Sequence, residues 1–238
     1  MSSTSPLSGR ARHIGGALAF AAASAIAMPA SAACPPAQPQ VLLERFVSAD
    51  CAACWEVAPP NPAPGQRAFA LDWVVPSARG DAAPLAAAAV SGSAARAARG
   101  GSLRSDEALT LSHPLPAASA LLVGVEDGPA WNGYMGLRIA VGYNAKRPLP
   151  KGLSAWLALV ERIEAGSEGT PVDRQLVRTL VGPLPLDGLA ERPVEHLRAV
   201  RLPETGKVER LGVVGWVETD KGRVLSVARG AFKDCPVR

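Results

Sequence analysis

The pair Cys51-Ala52-Ala53-Cys54 constrains this chain more than any other feature. Two cysteines separated by two residues bring their sulfurs together without strain when the second lies on the first turn of a helix. The preceding run, Val41 to Val47, is apolar with only loose alternation, as expected of a strand buried on both faces. Strand, short loop and cysteine at a helix start suit thiolate chemistry, because free backbone N–H groups there stabilise an anion. In the redox reading Cys51 is the nucleophile and Cys54 the resolving thiol. Two other readings stay open: an inert disulfide closing a small loop, and half of a zinc site.

The N-terminus reads as an export signal. Arg10, Arg12 and His13 precede an uncharged stretch from Ile14 to Met28, and Ala30-Ser31-Ala32 supplies an A-x-A cleavage pattern, so the mature chain is expected to begin at Ala33. The Ala- and Gly-rich stretch is short for a bilayer span of roughly 20 residues, and no later segment is apolar enough to cross. These features predict a periplasmic or secreted protein with no stable membrane span. Lipidation of Cys34 is disfavoured because Ser31 stands where a Leu-like residue is needed.

Cleavage leaves Cys34, Cys51, Cys54 and Cys235, an even number in an oxidising compartment. Four cysteines permit three pairings, and spacing does not choose among them. The near-terminal positions of Cys34 and Cys235 favour a structural disulfide joining the chain ends, which leaves Cys51 to pair with Cys54.

Charge excludes little. After loss of Arg10 and Arg12, 23 basic residues face 21 acidic ones, a balance of +2. No basic run interleaves with aromatics, which argues against a nucleic-acid partner. Arg96, Arg99 and Arg104 read as a solvated face. His113 and His196 are the only mature histidines, and no nucleophile elbow is visible. Trp55 stands where haem attachment needs His, Met135 is the sole mature Met, and no second Cys or His pair has zinc spacing, so no cofactor or metal is expected. His113 is expected in a loop or packing role. Trp55 and Trp131 are expected to be buried between two halves, or else to flank the redox pair.

The mature chain, about 206 residues, divides by pattern. Residues 1–32 are the signal, 33–128 an α/β half and 129–238 a β-rich half. Ala68 to Val75 reads as a second strand ended by Pro76, and Leu85 to Ala98, after Pro84, as a helix. With a helix from Cys51 that the prolines stop at about Ala58, this makes a parallel strand-helix-strand-helix unit. Later strands are expected at Leu121–Val125, Leu137–Tyr143, Ala155–Val160, Leu197–Leu202, Leu211–Val217 and Arg223–Ala228, the last two joined by a hairpin loop. Ser154 to Glu164 also fits an amphipathic helix.

The stretch from Leu43 to Cys54 resembles the opening motif of a bacterial secreted protein family of unknown function, with Glu44, Phe46, Ser48, Cys51 and Cys54 on its pattern. Leu71-Asp72-Trp73 is similar to that family's Asp-aromatic signature. Gly166-Ser167-Glu168-Gly169 with Leu176-Val177-Arg178 is similar to a later Gly-Glu segment, and Val213–Trp216 to Gly222–Ala228 resembles its closing hairpin. The resemblance implies an α+β fold: a thioredoxin-like N-terminal half and a β-rich, sandwich-like C-terminal half. The cysteine pair and the export signal, not the resemblance, point to a thiol-disulfide oxidoreductase acting on cysteine-containing exported proteins. Prolines directly after Ala58 depart from the pattern, and the family's Thr-Pro-Gln proline is absent; Pro114 or Pro116 is the expected substitute for its cis-proline. A non-catalytic binding or structural module that keeps Cys51–Cys54 as a structural disulfide is the alternative, and a thiol metal carrier a third reading.

Overall fold

The computed structural model describes residues 39–60, 62–144, 146 and 148–230. The signal with its cleavage point, Cys34 and Cys235 lie outside the described residues. Ten strands form two sheets. They are β1 (Val41–Ser48), β2 (Ala68–Val75), β3 (Ala108–Pro114), β4 (Leu121–Asp127), β5 (Tyr134–Tyr143), β6 (Leu153–Ile163), β7 (Arg174–Pro185), β8 (Val194–Arg201), β9 (Leu211–Thr219) and β10 (Val224–Arg229). The larger sheet runs β10-β9-β6-β7-β2-β1-β3 and the smaller β4-β5-β8. The larger sheet draws strands from both sides of residue 128, so the two expected halves share it.

This arrangement corrects the thioredoxin-like expectation: the fold is a β-rich sandwich. β1 and β2 do pair in parallel, from Val41 with Ala68 to Ser48 with Val75. Their crossover, however, holds only the one-turn helix α1 (Ala52–Trp55) and a proline loop. The expected helix from Leu85 to Ala98 is replaced by a 3₁₀ turn at Ala86–Ala88 and the short helix α2 (Ser93–Ala97). Sheet contacts outcompete the alanine propensity there. Val90 N–H donates to Val74 O, and Gly92, at φ +87°, supplies a left-handed break that alanine resists.

The later strand expectations match β4, β5, β6, β8, β9 and β10, with Leu202 just past the end of β8 and Arg223 just before β10, and the helical alternative for Ser154 to Glu164 is overturned by β6. β3 and β7 have no counterpart among the expected strands. β3 alternates half-buried and exposed residues, and β7 contains Gly182-Pro183, which reads as a breaker. That bond is the cis peptide among the described residues, so neither Pro114 nor Pro116 fills the expected cis position.

Each face of the large sheet has its own cover. On one face Leu42, Phe46, Phe69, Leu71, Trp73, Val214 and Trp216 pack around α2. Opposed aromatics reinforce it: Phe46 stacks on Trp73 with centroids 5.8 Å apart, and Trp156 on Trp216 at 6.3 Å. On the other face the small sheet lays Leu137, Ile139 and Val141 over Leu157, Leu159, Val213 and Val217. Gly215 permits that approach, since a Cβ there would meet Val125 Cγ1 at 2.5 Å. The rest of this face, around Val74, Ile163 and Leu176, is covered by Trp55 and Ala83 from the segments that follow β1 and β2.

The large sheet coils. Laid flat, β1 and β9 stand four strand spacings apart, roughly 19 Å. Yet Glu44 of β1 and Glu218 of β9 both reach the guanidinium of Arg96, at 2.7 and 3.2 Å. The strands therefore wrap around α2, helped by two register shifts between β6 and β7.

Candidate thiol site

Cys51 and Cys54 form a disulfide with a Cα–Cα distance of 5.2 Å. It sits just past the end of β1, held by a turn in which Cys51 N–H donates to Ser48 O. Asp50 fixes that turn: its N–H donates to Ser48 Oγ, and its carboxylate accepts from Ser77 Oγ at 3.0 Å. Cys51 caps α1, its Sγ accepting the Cys54 N–H at 3.2 Å. Cys51 is only 8% exposed, whereas Cys54 is half-buried and Ala53 between them is exposed.

α1 stops after one turn for a reason the prolines only partly explain. Arg174, at the start of β7, donates from Nη2 to the carbonyls of Trp55 and Val57 at 2.7 and 2.9 Å, taking acceptors that a longer helix would use. Its guanidinium lies 4.4 Å from the Trp55 ring centroid, and Trp55 Nε1 donates to Glu168 O at 2.8 Å. Arg174 Nε donates to Thr170 Oγ1 and Nη1 to Asp72 Oδ1 at 3.0 Å. Asp72 also accepts from Arg45 at 2.6 Å and from Gln175 N–H at 2.9 Å. Burial pulls the Arg174 guanidinium below its ordinary value against the opposing pull of Asp72, and neighbouring Arg45 lowers it further. An anchor of two arginines and one aspartate thus ties the disulfide loop to β1, β2 and β7.

Sequence reasoning found the two cysteines and Trp55, which is buried at 6%. It missed Arg174, Arg45 and Thr170. Asp72 and Glu168 stand in the Asp-aromatic and Gly-Glu segments noted above, and both now contact this loop or its anchor.

The other singled-out residues lie elsewhere. His113, on β3, donates from Nε2 to Glu44 at 2.9 Å on the α2 face, and pairs in register with Leu42, at the far end of β1 from the cysteines. His196 donates to Pro185 O at 2.7 Å. Trp131 is 82% exposed, contrary to the expected burial, and Met135 is a buried residue of the sandwich core. Arg104 is solvated as expected, but Arg96 is not. It is 2% exposed, binds Glu44 in a bidentate pair at 2.7 and 2.9 Å, and lies 4.8 to 5.6 Å from the ring centroids of Trp73, Trp156 and Trp216. Arg99 joins the same cluster through Glu218 at 2.8 Å.

No protein-family description matches the sequence, and no curated protein does. Among solved structures, HBP35 of Porphyromonas gingivalis is similar with a TM-score of 0.50 at 9% identity, over 81% of this chain and 74% of that one. At that identity the likeness is one of fold. A domain of the outer membrane lipoprotein Omp28 from Porphyromonas gingivalis gives a TM-score of 0.33 at 14% identity, over 48% of this chain and 88% of that one. No helix among the described residues is long and apolar enough to cross a membrane.

Proposed function

We propose that this chain is an exported thiol-disulfide exchange protein acting through Cys51 and Cys54 on cysteines of other exported proteins. The observation that carries the reading is a disulfide with a half-buried, not fully buried, cysteine at the surface end of a rigidly anchored loop. A ring with a sequence separation of 3 restrains the unfolded chain little, by about 2 kcal/mol on the loop-entropy relation, so stability alone gives weak reason to keep it. Export is supported by the signal pattern from Arg10 to Ala32 and by the bond itself, which persists in oxidising compartments.

One observation favours the second reading, a structural disulfide in a binding module: Cys51 is 8% exposed beneath a loop clamped by Arg174. The reduction potential of the pair in the folded protein separates the two. A value between about −120 and −270 mV supports exchange, whereas one below about −300 mV, or a bond that opens only on unfolding, supports the structural role.

A further inference from the structure

Building on the exchange reading, we propose that Cys54, not Cys51, is the sulfur that meets an incoming thiolate, and that Cys51 is the buried leaving group. This reverses the roles expected from sequence, where the first cysteine is the nucleophile.

Three observations carry the assignment. Displacement at a disulfide sulfur proceeds in line, so the attacker must arrive from the far side of the sulfur it takes. On the Cys54 side the chain is open: Cys54 is half-buried, and Ala53 and Glu56 are exposed. On the Cys51 side it is closed, with Cys51 at 8% exposure next to Ala49 at 1%. The second observation is electronic. Cys51 Sγ already accepts the Cys54 backbone N–H at 3.2 Å, a donor that strengthens its bond as negative charge develops on that sulfur. The sulfur best able to leave is thus the one hardest to reach. Third, the backbone beyond Cys54 is held by Arg174 through Trp55 O and Val57 O, and by Trp55 Nε1 on Glu168 O, so the half-buried Cys54 is presented at a fixed place.

A thiolate of a partner dithiol forms a bond to Cys54 Sγ while the Cys51–Cys54 bond breaks, and the electron pair of that bond departs on Cys51 Sγ. The partner's second thiolate then attacks its own sulfur in the mixed disulfide and releases Cys54 as thiolate. The partner has lost two electrons and two protons, and the pair has become a dithiol. The substrate class is an exported protein with two neighbouring thiols.

The test uses the oxidised full-length mature chain and reduced glutathione as the attacking thiol. After a short exposure the mixture is quenched with excess N-ethylmaleimide, and the tryptic peptide between Arg45 and Arg67 is fragmented in the mass spectrometer. Glutathione on Cys54 and maleimide on Cys51, in roughly tenfold or greater excess over the reverse pattern, is the expected result. Glutathione on Cys51 in equal or greater amount overturns the assignment and leaves the exchange function standing. An intact disulfide with no adduct on either sulfur of the folded chain overturns both.

Discussion

Glu44 and Arg45 are neighbours on β1, and each founds a buried ion cluster on an opposite face of the large sheet. On the Glu44 side the carboxylate, Arg96 and Glu218 have side chains no more than 3% exposed and sit against three tryptophans. On the Arg45 side the arginine is 13% exposed, and the cluster continues through Asp72 and Arg174 into the disulfide loop. The first cluster ties together β1, β9 and α2, which are far apart in sequence, and so holds the coil of the sheet. The second ties one loop to the strands beneath it. Similar chemistry does two jobs, separated by which way a side chain points from one strand.

The sharpest way to separate them is to remove a partner from each. Glu44→Ala takes the bidentate partner from buried Arg96, leaving it the 3.2 Å contact to Glu218, and is expected to cost about 3–5 kcal/mol in urea unfolding, with unchanged glutathione reactivity of the disulfide in the fraction that remains folded. Arg174→Met is expected to cost less, about 2–3 kcal/mol, because Asp72 keeps Arg45 and the Gln175 N–H. Unlike the first variant, it should speed amide hydrogen exchange between residues 54 and 57. A slow, unchanged exchange there would show that the prolines alone fix the loop.

Removing the disulfide in a Cys51→Ala, Cys54→Ala double variant is expected to cost about 2 kcal/mol, measured as a fall in Tm. A loss above 4 kcal/mol would transfer the site to the structural reading. Acid should then act on the first cluster through Glu44. Burial alone would push the Glu44 carboxyl up from 4.5, but hydrogen bonds from His113 and Arg96 and the charge of Arg96 outweigh it and hold it lower. A lowered carboxyl stabilises the fold fully above pH 4.5, and this stability is lost as pH falls through the folded value. Glu44→Gln should therefore flatten the acid limb of a curve of unfolding free energy against pH, measured by urea titration, by up to about 1.4 kcal/mol per pH unit. The smallest effect belongs to Trp131→Ala, within about 0.5 kcal/mol, since that ring is 82% exposed.

Much of this contrast was present in the sequence in unread form. The boundaries of β2 and nearly those of β1 follow from their apolar runs, but Glu44 in such a run is itself a signal: a carboxylate on a buried strand needs a cation. Reading Arg96 as part of a solvated arginine face missed that demand, because helical spacing in a small-residue stretch does not say which side meets the sheet. β3 was legible as the alternation Leu109, Leu111, His113, although the short length and proline end hid it. The helices failed for a different reason. Alanine propensity between Leu85 and Ala98 was overridden by pairing with β2, a tertiary effect with no local mark, and by Gly92, a local break that the helix expectation passed over. At the site itself, the cysteine pair stood out and its supporting residues did not, since Arg174 lies more than a hundred residues downstream and meets Asp72 only after folding.

The side-by-side placement of Glu44 and Arg45 also bears on how the chain avoids misassembly. Should β1 slide by a single residue against β2, every side chain on it would change faces. Glu44 would then be thrust toward Asp72, and Arg45 toward Arg96, converting two attractive clusters into two repulsive ones in low-dielectric surroundings. Apolar neighbours such as Leu42 and Leu43 tolerate that exchange well, so hydrophobicity alone would police the slip weakly. Once both faces are covered, the opposed charges make the slipped register costly, so that they, more than the apolar residues, fix the alignment of β1 on β2.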